Sequence, residues 1–456
     1  MRWLVPLWFL WTMCIALSQL HHVLSSATAL VQRPPGKRSS ESEGKILTSK
    51  IKGAKSAKKL LAILDKTMDS QTFNKVHASA AYTALTAMKR RGWRRLEGTW
   101  DSCVLSRLQG RVRKMICGNQ LGCREGANIL WAVVHLSEMD PMLPKGLLPA
   151  LVEVLPSQVR GMNTQHLSNC LWASAQLQEV EPSVLKLVPA ISSEIPSKAK
   201  DMVPQALSNC FCAAAKLQDA AEEVLKVLPA IVAEIPKKAG DMIPQALTNC
   251  LWAAAQLQEV DAGVLRVVPG LVERMPSEAE NLKPQELSNC LLATAQLYEV
   301  KPLVLQILPV LADQLPLKVQ QMNSQALSNC FWSCAQLQHH PQGAAWVPGM
   351  LQQILQRLPA AAAQMTPQEL SNSVRVAPRL QETVPEVLEV LPVMLEQLKT
   401  FPCFRGSLEK KVGSERIWMH LDTMSWCRCF PKRCFWWDVD GCWAAFSRRI
   451  TVASPF

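Results

Sequence analysis

Apolar residues recur along the middle of the chain with two nested periods. Within a stretch of about 14 residues they keep helical spacing: Leu167, Cys170, Leu171, Ser174 and Leu177 fall on one face. The stretch itself then repeats. Met162–Leu177 returns as Met202–Leu217, Met242–Leu257, Leu282–Leu297 and Met322–Leu337, each copy 40 residues after the last. A sixth copy starts at Met365, 43 residues on, where Ser373 replaces the recurring Cys and Pro378 interrupts the pattern. A degenerate earlier copy is visible in Asn128-Ile-Leu-Trp131-Ala, and His77–Met88 reads as a still earlier helix of the same kind.

Each unit predicts two helices. Helix A begins at a Pro-Gln or Ser/Thr-Gln step. Thr366-Pro367-Gln368-Glu369 is a strong start signal, with Thr as cap, Pro in the first turn and Glu three residues on. Helix B covers about Pro182 to Ile195, with Val184, Leu185, Val188, Ile191 and Ile195 on its apolar face. Pro189 and its equivalents Pro229, Pro269, Pro309 and Pro348 predict a kink, because proline lacks a donor and clashes with the preceding turn. Pro196, Pro236, Pro276 and Pro316 predict the end of helix B. In the fifth unit the pair is Pro348 and Pro359, wider by about one helical turn, so the buried face is expected to survive. No strand pattern occurs in the array. One helix pair cannot bury its own apolar face, but stacked neighbours can. The predicted fold is all-α, an α-solenoid of ~40-residue helix-pair repeats.

Opposite the apolar face, helix A carries a polar stripe. Gln165, Asn169, Trp172 and Gln176 lie within about 60° of one another on a wheel of 3.6 residues per turn. The stripe returns as Gln205 and Asn209, then Gln245, Asn249 and Gln256, then Gln285, Asn289 and Gln296, then Gln325, Asn329 and Gln336; Lys216 and Arg379 take the last place in units two and six. Amides offer both donor and acceptor, so they suit base edges, and helical repeats can read single-stranded RNA with a few such side chains. The same ladder can instead bond neighbouring helices and set the stacking register. Trp172, Trp252 and Trp332 share one position with Cys212, Leu292 and Arg375. Exposed Trp or Arg there stacks on unpaired bases; packing between helices is the other use. The recurring Cys170, Cys210, Cys250, Cys290 and Cys330 are too far apart for disulfides at helix-packing distances, and read as small buried apolar residues.

Charge divides the chain. Residues 1–161 hold 24 Lys/Arg against 10 Asp/Glu, net +14; residues 162–400 hold 16 against 22, net −6; residues 401–456 hold 9 against 5, net +4. A nucleic-acid footprint would therefore include Lys89, Arg90, Arg91, Arg94, Arg95, Arg111, Arg113 and Lys114, which otherwise read as a solvated helix face. The N-terminus reads as an address. Trp3–Leu17 is an uncharged, mostly apolar run of signal-peptide length, with residues 1–29 as the leader; residues 30–60 are Lys- and Ser-rich, acid-poor and expected to be disordered. A two-part leader of this kind favours a plastid, with a mitochondrion or the secretory pathway as alternatives. Residues 61–161 are expected to hold degenerate, basic repeats, 162–400 six regular ones, and 401–456 an irregular tail. Cys427, Cys429, Cys434 and Cys442 in that tail do not match zinc-pair spacing. No phosphate loop, H-E-x-x-H or G-x-S-x-G motif is present, so no enzyme, cofactor or small-molecule substrate is expected.

The motif Pro-Gln-Ala-Leu-Ser/Thr-Asn-Cys-Leu-Trp-Ala-Ala-Ala-Gln-Leu resembles helix A of the organellar octotricopeptide-repeat proteins and the related repeats of RAP-domain, FAST kinase-like proteins. The resemblance covers 162–400 strongly and 73–161 weakly. It implies paired helices of this length and binding of single-stranded organelle RNA. It also implies a role in RNA processing, stability or translation, alongside other proteins of an RNA-processing complex. A scaffold for protein partners on the same fold is the alternative.

Overall fold

The computed structural model describes residues 35–93 and 98–401. The expected leader, Arg94, Arg95 and the Cys/Trp-rich tail lie outside the described residues. All regular structure among the described residues is helical.

The A helices are Thr164–Leu177, Pro204–Leu217, Pro244–Leu257, Pro284–Leu297, Ser324–Leu337 and Pro367–Leu380, each 14 residues long. Their starts follow the sequence signals. Thr366 Oγ1 accepts from Glu369 N at 3.3 Å, and Glu369 Oε2 accepts from Thr366 N at 2.9 Å, a complete capping box. Asn163 and Asn323 cap the two A helices that lack a first-turn proline.

The B segments differ from expectation at both prolines. Pro182–Leu187 is a 3₁₀ helix, and an α-helix starts at Val188. Val188 N donates to Leu185 O, which closes the 3₁₀ turn. Pro189 therefore stands in the first turn of an α-helix, where a missing N–H costs nothing. The change of helix type replaces the expected kink. Pro196 does not end the helix but lies within it; Val188–Lys198 runs on and gives way to a 3₁₀ turn over Ala199–Asp201. The same sequence of segments recurs in the next three repeats. In the fifth, helix B splits into Val347–Leu355 and Leu358–Ala362, and Val347, Leu351, Ile354 and Leu358 stay buried.

Residues 30–60 were expected to be disordered, and from Pro35 on the structure corrects this. Pro35–Lys52 and Ala57–Thr67 are helices, followed by the pairs Lys75–Arg90 with Thr99–Cys117 and Cys123–Leu136 with Met142–Gln158. Leu47, Ile51, Ala54, Leu60 and Leu64 are buried beneath the lysines that dominate the composition. Asn74 N donates to His77 Nδ1 at 3.1 Å, so Nε2 carries the proton that reaches Gly44 O at 2.9 Å and ties the first helix to the second pair.

The described chain divides into two compact units, Met1–Ile195 with Asp219–Val224 and Pro196–Gln218 with Leu225–Phe456. Within the first, the A helices Pro35–Lys52, Lys75–Arg90, Cys123–Leu136 and Thr164–Leu177 pack in sequence, and the B helices form a second layer. Within the second, the A helices from Pro204–Leu217 to Pro367–Leu380 pack the same way. Each unit is an α-solenoid stack of helix pairs. In the second unit small residues hold the register between neighbouring A helices. Thr248 Oγ1 meets Cys290 Sγ at 3.3 Å, and Ser328 Oγ meets Ser373 Oγ at 3.2 Å, one repeat to the next. Lys238 Nζ donates to the carbonyls of Lys200 (2.7 Å) and Met202 (2.5 Å), closing the turn that follows the preceding helix B.

Candidate nucleic-acid interface

The last two turns of helix A face the polar side of each stack. In the first unit the position held by Trp172 is held 41 residues earlier by Trp131, and Arg90, the last residue of Lys75–Arg90, reaches Trp131 from the preceding A helix. These three sit on successive packed A helices. The Arg90 guanidinium lies 5.1 Å from the Trp131 ring centroid. His135, one turn beyond Trp131, has its ring centroid 4.4 Å from Trp131 at 66° and 5.5 Å from Trp172 at 30°. The result is a run of ring contacts, edge-on at Trp131 and stacked at Trp172, with one cation at its end, half-buried at both Trp and exposed at Arg90. Burial pushes the His135 pKa down to about 4, with Arg90 and then Lys89 opposing a further positive charge and Glu138 partly offsetting them. The ring is neutral at physiological pH. Lys89 Nζ donates to His135 O (2.6 Å) and pairs with Glu138 (2.5 Å), which fixes the end of the Cys123–Leu136 helix.

No family model and no curated protein matches this chain.

The remaining basic residues divide between the layers. Arg91 is exposed at the end of the same A helix as Lys89 and Arg90. Arg111, Arg113 and Lys114 lie on Thr99–Cys117, in the B layer, where Arg111 donates to Phe73 O at 3.5 Å. The run read as one patch thus feeds two parts of the first unit.

The amide stripe is partly bonded to itself. Gln205 Nε2 donates to Asn209 Oδ1 at 2.9 Å, and Gln285 Nε2 to Asn289 Oδ1 at 3.3 Å, one turn apart on their helices. Gln256 Nε2 donates to Gln296 Oε1 at 2.9 Å, a rung between the third and fourth repeats. Gln336 is buried. Gln165, Gln245 and Gln325 are exposed, while Asn169, Asn249, Asn329, Gln176, Lys216 and Arg379 are half-buried. Sequence reasoning missed a neighbouring series. Gln218 Nε2 donates to Gln256 O (3.4 Å), and Gln258 Nε2 to Gln296 O (3.2 Å). Each caps a carbonyl that has no partner in the last turn of the next A helix. The signal was present in the recurring Gln-Leu-Gln, which puts a second amide just past each helix.

In the second unit the Trp position is occupied differently. Trp252 and Trp332 are half-buried, Leu292 likewise, Cys212 is 8% exposed and Arg375 is exposed. Ring alternates with non-ring residue, so Trp252 and Trp332 are two repeats apart. The recurring cysteines are buried and unpaired thiols. Desolvation pushes Cys170 and Cys290 up to about 12 and raises Cys210, Cys250 and Cys330 as well, so none offers a thiolate. Among the described residues no three His, Cys, Asp or Glu side chains converge as a metal site would require.

Proposed function

We propose that this chain is a helical-repeat protein that binds single-stranded RNA along its A-helix face. Its role would be in organellar RNA processing, stability or translation, in a plastid first. The observation that carries the reading is the file Arg90–Trp131–His135–Trp172 on successive A helices of the basic part of the chain. Aromatic rings and a guanidinium on successive A helices suit the unstacked bases of a single strand, whereas a duplex keeps its base faces covered. The net +14 before residue 162 supplies the attraction for phosphates that the acidic array lacks. The motif resemblance supports the same reading, and the apolar run before a Lys/Ser-rich segment supports the compartment.

A scaffold for protein partners is favoured by one feature of the second unit. Val203, Ile243, Val260, Val300 and Leu317 are each more than half exposed. The direct test uses the purified full chain with labelled single-stranded and duplex RNA near physiological salt. RNA binding predicts a single-strand preference that Trp131→Ala and Trp172→Ala each weaken by about 1–3 kcal/mol. No affinity for any single strand would leave the scaffold reading.

A further inference from the structure

Between Trp131 and Trp172 stands one imidazole, and its surroundings are those of an occupant rather than a structural member. His135 Nε2 is covered by its neighbours and has no hydrogen-bond partner. A buried ring nitrogen without a partner forfeits its hydration and gains nothing in return. The ring meets Trp131 edge-on and stacks on the face of Trp172. It sits in the last turn of its helix, where a change of rotamer carries it toward solvent. Packed helix axes lie about 8–10 Å apart, wider than two indoles in contact, which leaves room for one ring between Trp131 and Trp172. Two cations nearby and partial burial keep that ring neutral.

A nucleobase is likewise a neutral, flat heteroaromatic ring. It has a larger face for Trp172 and polar edges that remain in water or reach the amides of the stripe. The position His135 holds belongs to glutamine in later repeats: Gln176, Gln256, Gln296 and Gln336. The repeat therefore does not need a ring there for its own stacking.

We propose that the space between Trp131 and Trp172 is a one-base subsite for single-stranded RNA, and that His135 is its resident placeholder, displaced when a base enters. This rests on the RNA reading above.

The test titrates the full chain with fluorescein-labelled oligo(U) and oligo(A) single strands, read by anisotropy and by quenching of Trp emission. His135→Ala frees the Trp172 face and the side of Trp131 that the imidazole meets edge-on, and is expected to tighten binding roughly five-fold, the lower end of what one base–aromatic stack is worth (about 1 kcal/mol). His135→Gln restores the residue of the other repeats and is expected to tighten binding as well; it carries the test if the Ala variant does not fold. His135→Trp fills the gap with a larger ring and is expected to weaken binding. Melting curves and far-ultraviolet dichroism confirm that each variant is folded. Unchanged or weaker binding by folded His135→Ala and His135→Gln, with the wild type binding normally, overturns the placeholder and leaves the RNA reading standing. A wild type that binds neither strand overturns both.

Discussion

The two units are built from one helix pair, yet they treat the same two positions of helix A in opposite ways. In the first, Arg90, Trp131 and Trp172 line up on consecutive helices, and His135 bridges the two indoles. In the second, Trp252 and Trp332 are separated by Leu292, and the amide positions close on each other through Gln256 and Gln296. The unit with the worn repeats carries the run of ring contacts and the positive charge. The unit with the regular repeats carries amides partly bonded to one another and lacks that excess of positive charge. Repeat regularity thus goes with amides bonded between helices, and departure from it with ring contacts and positive charge.

The first unit includes the helices Pro35–Lys52 and Ala57–Thr67. Removing residues 35–60 from the chain should be the most damaging change, since it uncovers a face sealed by Leu47, Ile51 and Leu60. Each such side chain contributes roughly 1.5–3 kcal/mol when buried. Chemical denaturation should show loss of the first unit's cooperative transition; a curve like that of the chain starting at Pro35 would show that these helices are dispensable.

Next comes the contrast between the frame and the Trp position. Phe211 is fully buried, and Phe211→Ala should cost about 3–5 kcal/mol. Trp252 is only half-buried, so Trp252→Ala should cost clearly less in the same unfolding experiment. Equal losses would make the Trp series core residues and remove its availability to a ligand.

A smaller effect is expected at the amide rung. Gln256→Ala should lose about 0.5–1.5 kcal/mol, and the double change with Gln296→Ala should add little more, because the pair is one interaction. RNA affinity should not change. A binding loss comparable to that of Trp172→Ala would move the interface into the second unit.

The least effect concerns pH. His135 has a folded pKa pushed down to about 4, below its ordinary 6.5. Between those values the unfolded chain binds the extra proton, so stability falls as pH drops from about 6.5 toward 4. His135→Gln should flatten that part of the stability profile. An unchanged slope would mean that the ring is not desolvated between the indoles.

Much of this was legible before the coordinates. The 40-residue offset, the Thr366 cap and the buried Cys series follow from spacing and residue chemistry alone. The B helices were misread because proline rules were applied to a single α-helix, whereas Leu185 and Val188 close a 3₁₀ turn that removes the conflict. The first pair was missed because Lys and Ser dominate the composition of residues 30–60, while the residues that bury it, Leu47, Ile51 and Ala54, are few and widely spaced. The ring contacts escaped notice because Arg90 closes its helix outside the motif position of Trp131, and His135 replaces the glutamine of the regular repeats.

The central claim is that RNA lies along the A helices of the first unit. Ultraviolet crosslinking of the full-length protein in cells, followed by identification of the peptides that carry nucleotides, addresses it most directly. The account predicts adducts on the segments holding Arg90–Arg91, Trp131–His135 and Trp172. Adducts confined to peptides from 204–380, or recovery of crosslinked protein partners with no RNA, would contradict it.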